Sequence, residues 1–514
     1  MTAGELAASR ETAAAEFSDI ARSQILARLW GAAARESLPG VVGRRLERED
    51  LVVTLTSGSD LRGSVDAAAL YAQPSPNFGI SLGDSVVDDP TALARLLGGT
   101  SAATDRFAGE VANSVTNLAL AWESAARDDR PIRDDADWEQ LVVQGHPYHP
   151  CCRTRTGMSE TEVLAYAPEH RPIIDVDLVA VPRAQWYGSG RWPSRLTTPD
   201  EFLLPMHPWQ RDHVLPRFPG LVPTGQTIEA KPLLSLRTVA PLGNWAGYHI
   251  KTSLDIQMTS ALRTVTPRAV DNGPRLSALV TTMLDALGHS LGFRVLRDLA
   301  GGAARIDGTP RPSLGVLLRE SPQAYLRPGE QAVPIAALCA RPELAGADPA
   351  AWLSRIAELL LPPTLALLAA GVALEAHGQN TLVVLAGGDP VRILYRDFGG
   401  MWISPRTVER AGFTPPPVGD DVVSDDSTTL RNTLLSAPVW GSLGELVAAL
   451  SGRYGIEPEK LWRPIAVVAG HIGPHGDCLL AESVPIKATT AMRLAERSLD
   501  NLWVNLPNPL VKFA

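Results

Sequence analysis

Residues 374–400 constrain this chain more than any other stretch. Glu375, His377 and Asn380 fall within six residues, and Asp397 follows twenty after His377. Between them run two short apolar segments, 381–385 and 391–395, separated by Gly387-Gly388-Asp389-Pro390. Two such runs joined by a Gly/Pro turn predict a β-hairpin. Closing that hairpin returns Asp397 to the end that carries Glu375, His377 and Asn380. Carboxylates, an amide and an imidazole at one point suit a nucleotide and its magnesium, because hard Mg²⁺ takes oxygen ligands and substrate phosphates. The same residues also suit a polar loop that caps a hairpin and binds nothing.

At 514 residues the chain exceeds what one hydrophobic core supports, so two or three lobes are expected. A net charge of -9 argues against nucleic-acid binding and gives no reason to expect an acidic membrane surface as partner. An anionic small substrate needs only local Arg, Lys and His. The four cysteines, Cys151, Cys152, Cys339 and Cys478, are too scattered for a disulfide framework, which fits a reducing cytoplasm. The first thirty residues lack a basic-then-apolar signal pattern, and no uncharged apolar run approaches eighteen residues. A soluble cytoplasmic protein is expected.

Apolar periodicity predicts helices over 13–35 and 105–126, a hairpin over 51–61 and a strand over 173–181. A turn is expected at 193–199, and β-like runs at 202–206, 228–239 and 248–258. A helix over 275–287 precedes the Gly-, Pro- and Ala-rich stretch 301–347, which reads as peripheral hairpins or a lobe boundary. The helical stretch 350–373 contains Pro362-Pro363, which should break or kink it. Helices follow over 430–465 and 488–502. A β-rich middle with helical flanks predicts an α+β fold.

Three further clusters carry polar chemistry. The loop 145–159 holds His146, His149, Cys151, Cys152, Arg153 and Arg155. Adjacent cysteines chelate one zinc poorly, and no second ligand pair completes a tetrahedral site; an anion site of His and Arg, or a structural loop, are the other readings. The second cluster is Ser235 and Arg237 on one strand face, Lys251 nearby, and Thr259 to Arg263 beyond. Three cations there suit a polyphosphate or a polycarboxylate, since Arg offers forked donors and Lys a point charge. The third is Lys487 and Arg493, flanking the start of the last predicted helix; it reads more readily as an exposed charged helix. No GxxxxGK[ST] loop, strand-linked GxGxxG, GxSxG elbow or HExxH is present. Asp397-Phe398-Gly399 imitates the kinase magnesium motif without its partners. A small-molecule phosphotransferase therefore stays open, and so does a non-catalytic polycarboxylate-binding protein.

Taken together the clusters resemble the NRPS-independent siderophore synthetases, the family of the aerobactin synthetases. The pieces are G-H-P-Y-H-P at 145–150, H-P-W-Q at 207–210, S-L-R at 235–237 and K-T-S at 251–253. T-S-A-L-R-T at 259–264, E-A-H-G-Q-N-T-L at 375–382, R-D-F-G-G at 396–400, K-A at 487–488 and N-P-L at 508–510 complete the set. They come in the family's order from residue 145 onward. The resemblance implies an α+β cupped hand, with a thumb-like lobe over 1–160, a fingers-like lobe over 161–345 and a palm-like lobe over 346–514. It implies ATP and Mg²⁺, adenylation of a small carboxylate with loss of pyrophosphate, capture by an amine or hydroxyl, and a homodimer. By motif, Ser235, Arg237, Lys251, Arg263, His377, Asn380 and Asp397 hold the nucleotide, and Glu375 and Asp397 the metal. His146, Arg153, Thr259, Arg263, Lys487 and Arg493 face the carboxylate substrate, and His377, Arg263 and Lys251 are catalytic. Citrate is the favoured acid, because hydroxyls and cations cluster densely. Arg153 stands where the family has lysine, and Gly157-Met158 where it has Gly-Phe, which touches substrate choice more than chemistry.

Overall fold

The helix Ala3–Arg35 buries Ala21, Ile25, Leu29 and Trp30 against the helix Ala102–Arg127, whose own stripe includes Phe107, Val111 and Leu118. This is a computed structural model, and it describes residues 3–72, 78–259, 261–495 and 501–513. Ser101 starts the second helix by accepting the Thr104 N–H, an N-cap. Beside the two helices lies a five-stranded antiparallel sheet in chain order, from Val41–Glu47 to Ser85–Val87. It includes the expected hairpin, with Val53 opposite Leu61. Cys151, Cys152, Ala491 and Leu494 join this core, so the 145–155 loop and the C-terminal segment both dock on the N-terminal lobe.

The middle of the chain builds an eight-stranded sheet. Its order is Trp186–Gly190, Asp298–Ile306, Thr309–Glu320, Tyr248–Thr252, Thr238–Pro241, Val222–Pro232, Ile174–Pro182 and Glu201–Met206. Residues 301–320 are thus interior strands and not peripheral hairpins. Their small side chains have a packing reason: a Cβ on Gly301 would stand 2.7 Å from the Val270 carbonyl, and one on Gly315 would stand 2.2 Å from that of Val265. The helix Pro267–Ala286 and its approach press directly on bare backbone there. The run 228–239 is also not one strand. It folds back at 233–237, so Ser235 and Arg237 sit in a turn and share no strand face. The run 248–258 splits at Ser253, whose hydroxyl donates to Gly315 O at 2.9 Å and accepts the Val265 N–H at 2.8 Å. Beyond it Leu254–Met258 leaves for a three-stranded sheet with Ala261–Arg263 and Arg155–Thr156.

The eight-stranded sheet ends at Glu320, and the next strand, Glu330–Pro334, already pairs with Thr381–Ala386. Thr381–Ala386 and Asp389–Tyr395 form the predicted hairpin, Thr381 opposite Tyr395, with Gly387 and Gly388 at positive φ in its turn. The helix Pro349–Ala369 runs through Pro362 and Pro363 without a break. Each proline costs a helix about 3 kcal/mol, but Leu359, Leu360, Leu361, Leu365 and Leu367 are buried around them. Burying each leucine contributes about 1.5–3 kcal/mol, enough to offset the loss. This helix and the helical stretch from Ser427 to Tyr454 are long and apolar enough to cross a membrane, yet 61% and 72% of their apolar windows are buried inside the fold. The last expected helix is only Thr489–Leu494; residues 496–500 lie outside the described residues, and Trp503–Pro507 returns as a strand against Ser483–Lys487.

Candidate active site

The loop 374–380 is gripped from behind by the π-helical turn Leu435–Gly444. The Gly378 N–H donates to Gly441 O at 2.8 Å, and the Ser442 hydroxyl to Ala376 O at 2.7 Å. Arg396 closes it from the other side. Its N–H donates to Asn380 O at 3.0 Å, and its guanidinium forks onto Glu139 at 2.6 and 2.8 Å. Asp397 follows at φ +76, a left-handed conformation that aspartate tolerates better than most residues. The Tyr395 hydroxyl donates to Asp397 O at 2.8 Å, and the Gly399 N–H to Asp397 Oδ1 at 3.1 Å. Gly400 passes so close to Glu375 that a Cβ would stand 1.9 Å from Oε2. The hairpin thus brings both carboxylates to one loop cluster, as the spacing predicts.

Each carboxylate meets a lysine from a distant part of the chain. Lys251 Nζ lies 2.6 Å from Asp397 Oδ2, and Lys487 pairs with Glu375 Oε1. Arg319 Nη2 stands 3.9 Å from Asp397 Oδ1 while its Nε donates to Asp298 at 2.7 Å. Burial disfavours the Asp397 charge, but Lys251 and Arg319 hold its carboxyl well below the usual range. Glu375 is likewise held down, by Lys487 and then His377, against burial. Burial pulls Lys251 down to about 8 despite Asp397. It also pulls Arg237 down to about 10, with the Arg263 charge adding to it. His377 accepts the Gln379 N–H at Nδ1 (3.2 Å), and its Nε2 lies 3.3 Å from the donor Nδ2 of Asn380. Burial lowers its basicity too.

Of the residues singled out by sequence, Arg237, Lys251, Arg263, Glu375, His377, Asn380, Asp397, Lys487 and His146 come together. Arg263 lies within electrostatic reach of Asp397, Glu375 and His146. Arg237 spends Nη1 on Thr264 O at 2.7 Å and leaves Nε buried without a partner. Thr259 occupies the tight turn before Arg263 at φ +52, an outlier for a β-branched residue; Ser260 beside it lies outside the described residues.

Two residues assigned to substrate carboxylate do something else. Arg153 donates Nε to Val143 O at 2.8 Å and Nη1 to Glu169 at 3.2 Å, wholly buried. Arg493 is buried in an ion pair with Glu110, its Nε donating at 2.9 Å. The Arg493 guanidinium clamps the last short helix onto the helix Ala102–Arg127, and that of Arg153 ties its loop to Val142, Val143 and Glu169. Releasing Arg493 leaves Glu110 without that buried counter-charge, which costs about 3–5 kcal/mol, whereas Glu169 without Arg153 still has Arg155 at 2.6 Å. Ser235 contributes its carbonyl to the turn, accepting the Thr238 N–H at 2.6 Å. In the same loop His149 Nδ1 accepts the Cys151 N–H at 2.9 Å, and Cys152 contacts Ser114. Arg319 and Glu139 belong to the site and carried no motif; each sits in an ordinary strand or helix, marked only by a buried charge that needs a partner.

Residues 134–340 match the IucA / IucC family, and residues 350–497 match a family described as ferric iron reductase FhuF-like transporter. Staphyloferrin A synthase of Staphylococcus aureus is 26% identical over 455 residues, 76% of either chain. A D-ornithine–citrate ligase of the same strain is 23% identical, covering 80% of this chain and 77% of that one. The structure of ATP-bound aerobactin synthetase IucA from Klebsiella pneumoniae has the same fold, with a TM-score of 0.76 at 20% identity over 96% of this chain and 99% of that chain. The clusters in their order, the IucA / IucC match over residues 134–340 and the shared fold agree in supporting an NRPS-independent siderophore synthetase, and the chain is an ATP-dependent ligase.

Proposed function

We propose that the protein adenylates one carboxylate of a small polycarboxylate, citrate being favoured, and condenses it with an amine or hydroxyl nucleophile in siderophore or related metallophore synthesis. The observation that carries this reading is the gathering of Lys251, Arg237 and Arg263 beside Asp397 and Glu375. Two anions, the acid and the triphosphate, repel each other, and preorganised cations remove that barrier where charge develops. A carboxylate oxygen attacks the α-phosphorus; that P–O bond forms as the bond to the β-phosphate oxygen breaks, and pyrophosphate leaves. The nucleophile then attacks the acyl carbon, AMP departs, and the nucleophile's proton is lost. Arg237, with an orphaned buried Nε, and Lys251 suit phosphate oxygens. His377 and Asn380 would orient the activated carboxyl. Proximity does much of the rest.

Glu375 and Asp397 fit Mg²⁺, which takes one or two carboxylates with substrate phosphates completing its shell. When bound, the ion would neutralise phosphate charge. Among the described residues no group of three or more His, Cys, Asp or Glu gathers around one point, so the phosphates would supply the remaining ligands.

The test is ATP consumption with hydroxylamine as trap, across citrate, 2-oxoglutarate, succinate and aspartate, with pyrophosphate and AMP assayed separately from ADP and phosphate. Pyrophosphate with one acid is the expected result. ADP release would instead establish the phosphotransferase reading of Asp397-Phe398-Gly399, and acid binding without turnover would establish a binding protein.

A further inference from the structure

Seven arginines among the described residues are at most 8% exposed. Six of them reach a carboxylate, among them Arg153 with Glu169, Arg396 with Glu139 and Arg493 with Glu110. The seventh is Arg28, on the helix Ala3–Arg35. Its Nη2 donates to Gln144 O at 3.2 Å, while Nη1 is buried with no partner, and among the described residues no carboxylate pairs with it. A buried guanidinium without an anion is costly, and folded proteins avoid it unless something else supplies the charge.

Arg28 points toward the site rather than away from it. Gln144, its one partner, lies two residues before His146. His146 itself has a buried Nδ1 with no partner and stands edge-on to Tyr148 at 4.6 Å. Burial first, and then the charges of His377, Arg28, Lys487 and Arg263, push His146 down to about 3, so all four groups lie within electrostatic reach of this imidazole. Glu445 also feels the Arg28 charge, but burial pushes its carboxyl up to about 8, so at neutral pH it is mostly uncharged and does not answer the guanidinium.

We propose that Arg28 is a recognition residue of the N-terminal lobe, whose guanidinium takes a non-reacting carboxylate of the acid that His146 also faces. The proposal rests on the polycarboxylate reading of the site. It gives the long first helix a functional reason to reach the 144–149 loop, and it makes a second carboxylate a condition of good binding. The reacting carboxyl stays with Arg263 and His377, which come from other parts of the chain than the first helix. Arg28 therefore selects the substrate without touching the atoms that react.

The experiment uses the full chain, wild type and with Arg28→Met or Arg28→Lys. Citrate binding is followed by calorimetry, and KM for ATP, citrate and a citrate monoamide by the hydroxamate assay. Arg28→Met should raise citrate KM about tenfold or more, as loss of a charge-assisted contact does, with KM for ATP within about twofold. It should erase the preference for citrate over the analogue that has one carboxylate fewer, and Arg28→Lys should restore part of it. Because the unliganded protein loses an unpaired charge, Arg28→Met should melt no lower than wild type, which a structural arginine would not allow. A folded Arg28→Met that keeps both citrate affinity and preference overturns the proposal, and so does an equal rise in the KM for ATP. Should the methionine variant not fold, an Arg28→Lys protein with wild-type preference overturns it as well. A wild type that neither binds nor activates any acid would instead overturn the polycarboxylate reading itself.

Discussion

Lys251 Nζ and Asp397 Oδ2 lie 2.6 Å apart although 146 residues separate them in the chain. The pair joins a strand of the eight-stranded sheet to the loop after the 381–395 hairpin, so it both holds the lobes in register and sets the charge of the site. Lys251→Ala and Asp397→Ala should each lower adenylation by at least about a hundredfold, since each removes a group aimed at developing charge. Both should stay soluble. The double variant Lys251→Met/Asp397→Asn should regain stability over either single one, because no buried charge is left alone, yet stay inactive. Pyrophosphate release and denaturant midpoints measure the two effects; a single variant with near-normal turnover would remove that residue from the mechanism.

The pH dependence follows from the same lysine. Burial lowers Lys251 to about 8, against an ordinary lysine near about 10.4. Between these values the unfolded chain holds more protons than the folded one, so this group's contribution to stability rises with pH across that window. Activity moves the other way, because the neutral amine no longer attracts phosphate. We expect kcat/KM for ATP to fall with a midpoint near about pH 8, since kcat/KM reports the free enzyme. In Lys251→Arg that limb should move upward by more than about one unit, as guanidinium stays charged. An unchanged limb in Lys251→Arg assigns the titration to another group.

Gly400 is required by contact. A Cβ there meets Glu375 Oε2 at 1.9 Å, whereas one at Gly399 stands 3.4 Å from Asp397 Oδ1. Gly400→Ala should push Glu375 off Lys487 and cut activity about tenfold or more, as small displacements in a preorganised site do. Gly399→Ala should be much milder. Equal effects of the two on kcat, measured side by side, would contradict the geometry.

Arg153 separates structure from recognition. Arg153→Ala should destabilise by about 1–3 kcal/mol, because Val142 O and Val143 O lose their buried donor and Glu169 keeps only Arg155, while citrate KM of the folded fraction stays within about twofold. Urea midpoints and hydroxamate kinetics test both halves. A rise in citrate KM without loss of stability would return Arg153 to the substrate.

Local pattern revealed a good deal of this protein. The hairpin at 381–395, the helices over 13–35 and 105–126, and the nine residues that converge were all legible, because strand alternation, turn chemistry and motif spacing are written in neighbouring positions. Elsewhere local pattern misled. Residues 301–320 looked peripheral since glycine and alanine leave no apolar signal, and the reason for them, a helix pressed on bare backbone at Gly301 and Gly315, exists only once the helix is in place. Pro362 and Pro363 looked like breakers because the surrounding burial that overrides them is tertiary.

The polar clusters, their order, and the hairpin that returns Asp397 to Glu375 are written in the chain itself. Which cations are spent and which are left over depends on how the chain packs. Arg153 and Arg493 carry the same charge as Arg28, yet Glu169 and Glu110 neutralise the first two and nothing among the described residues neutralises the third. The physical reason is that a charge's role depends on what faces it after burial. That partner arrives from an element tens or hundreds of residues away, where no periodicity or motif records it.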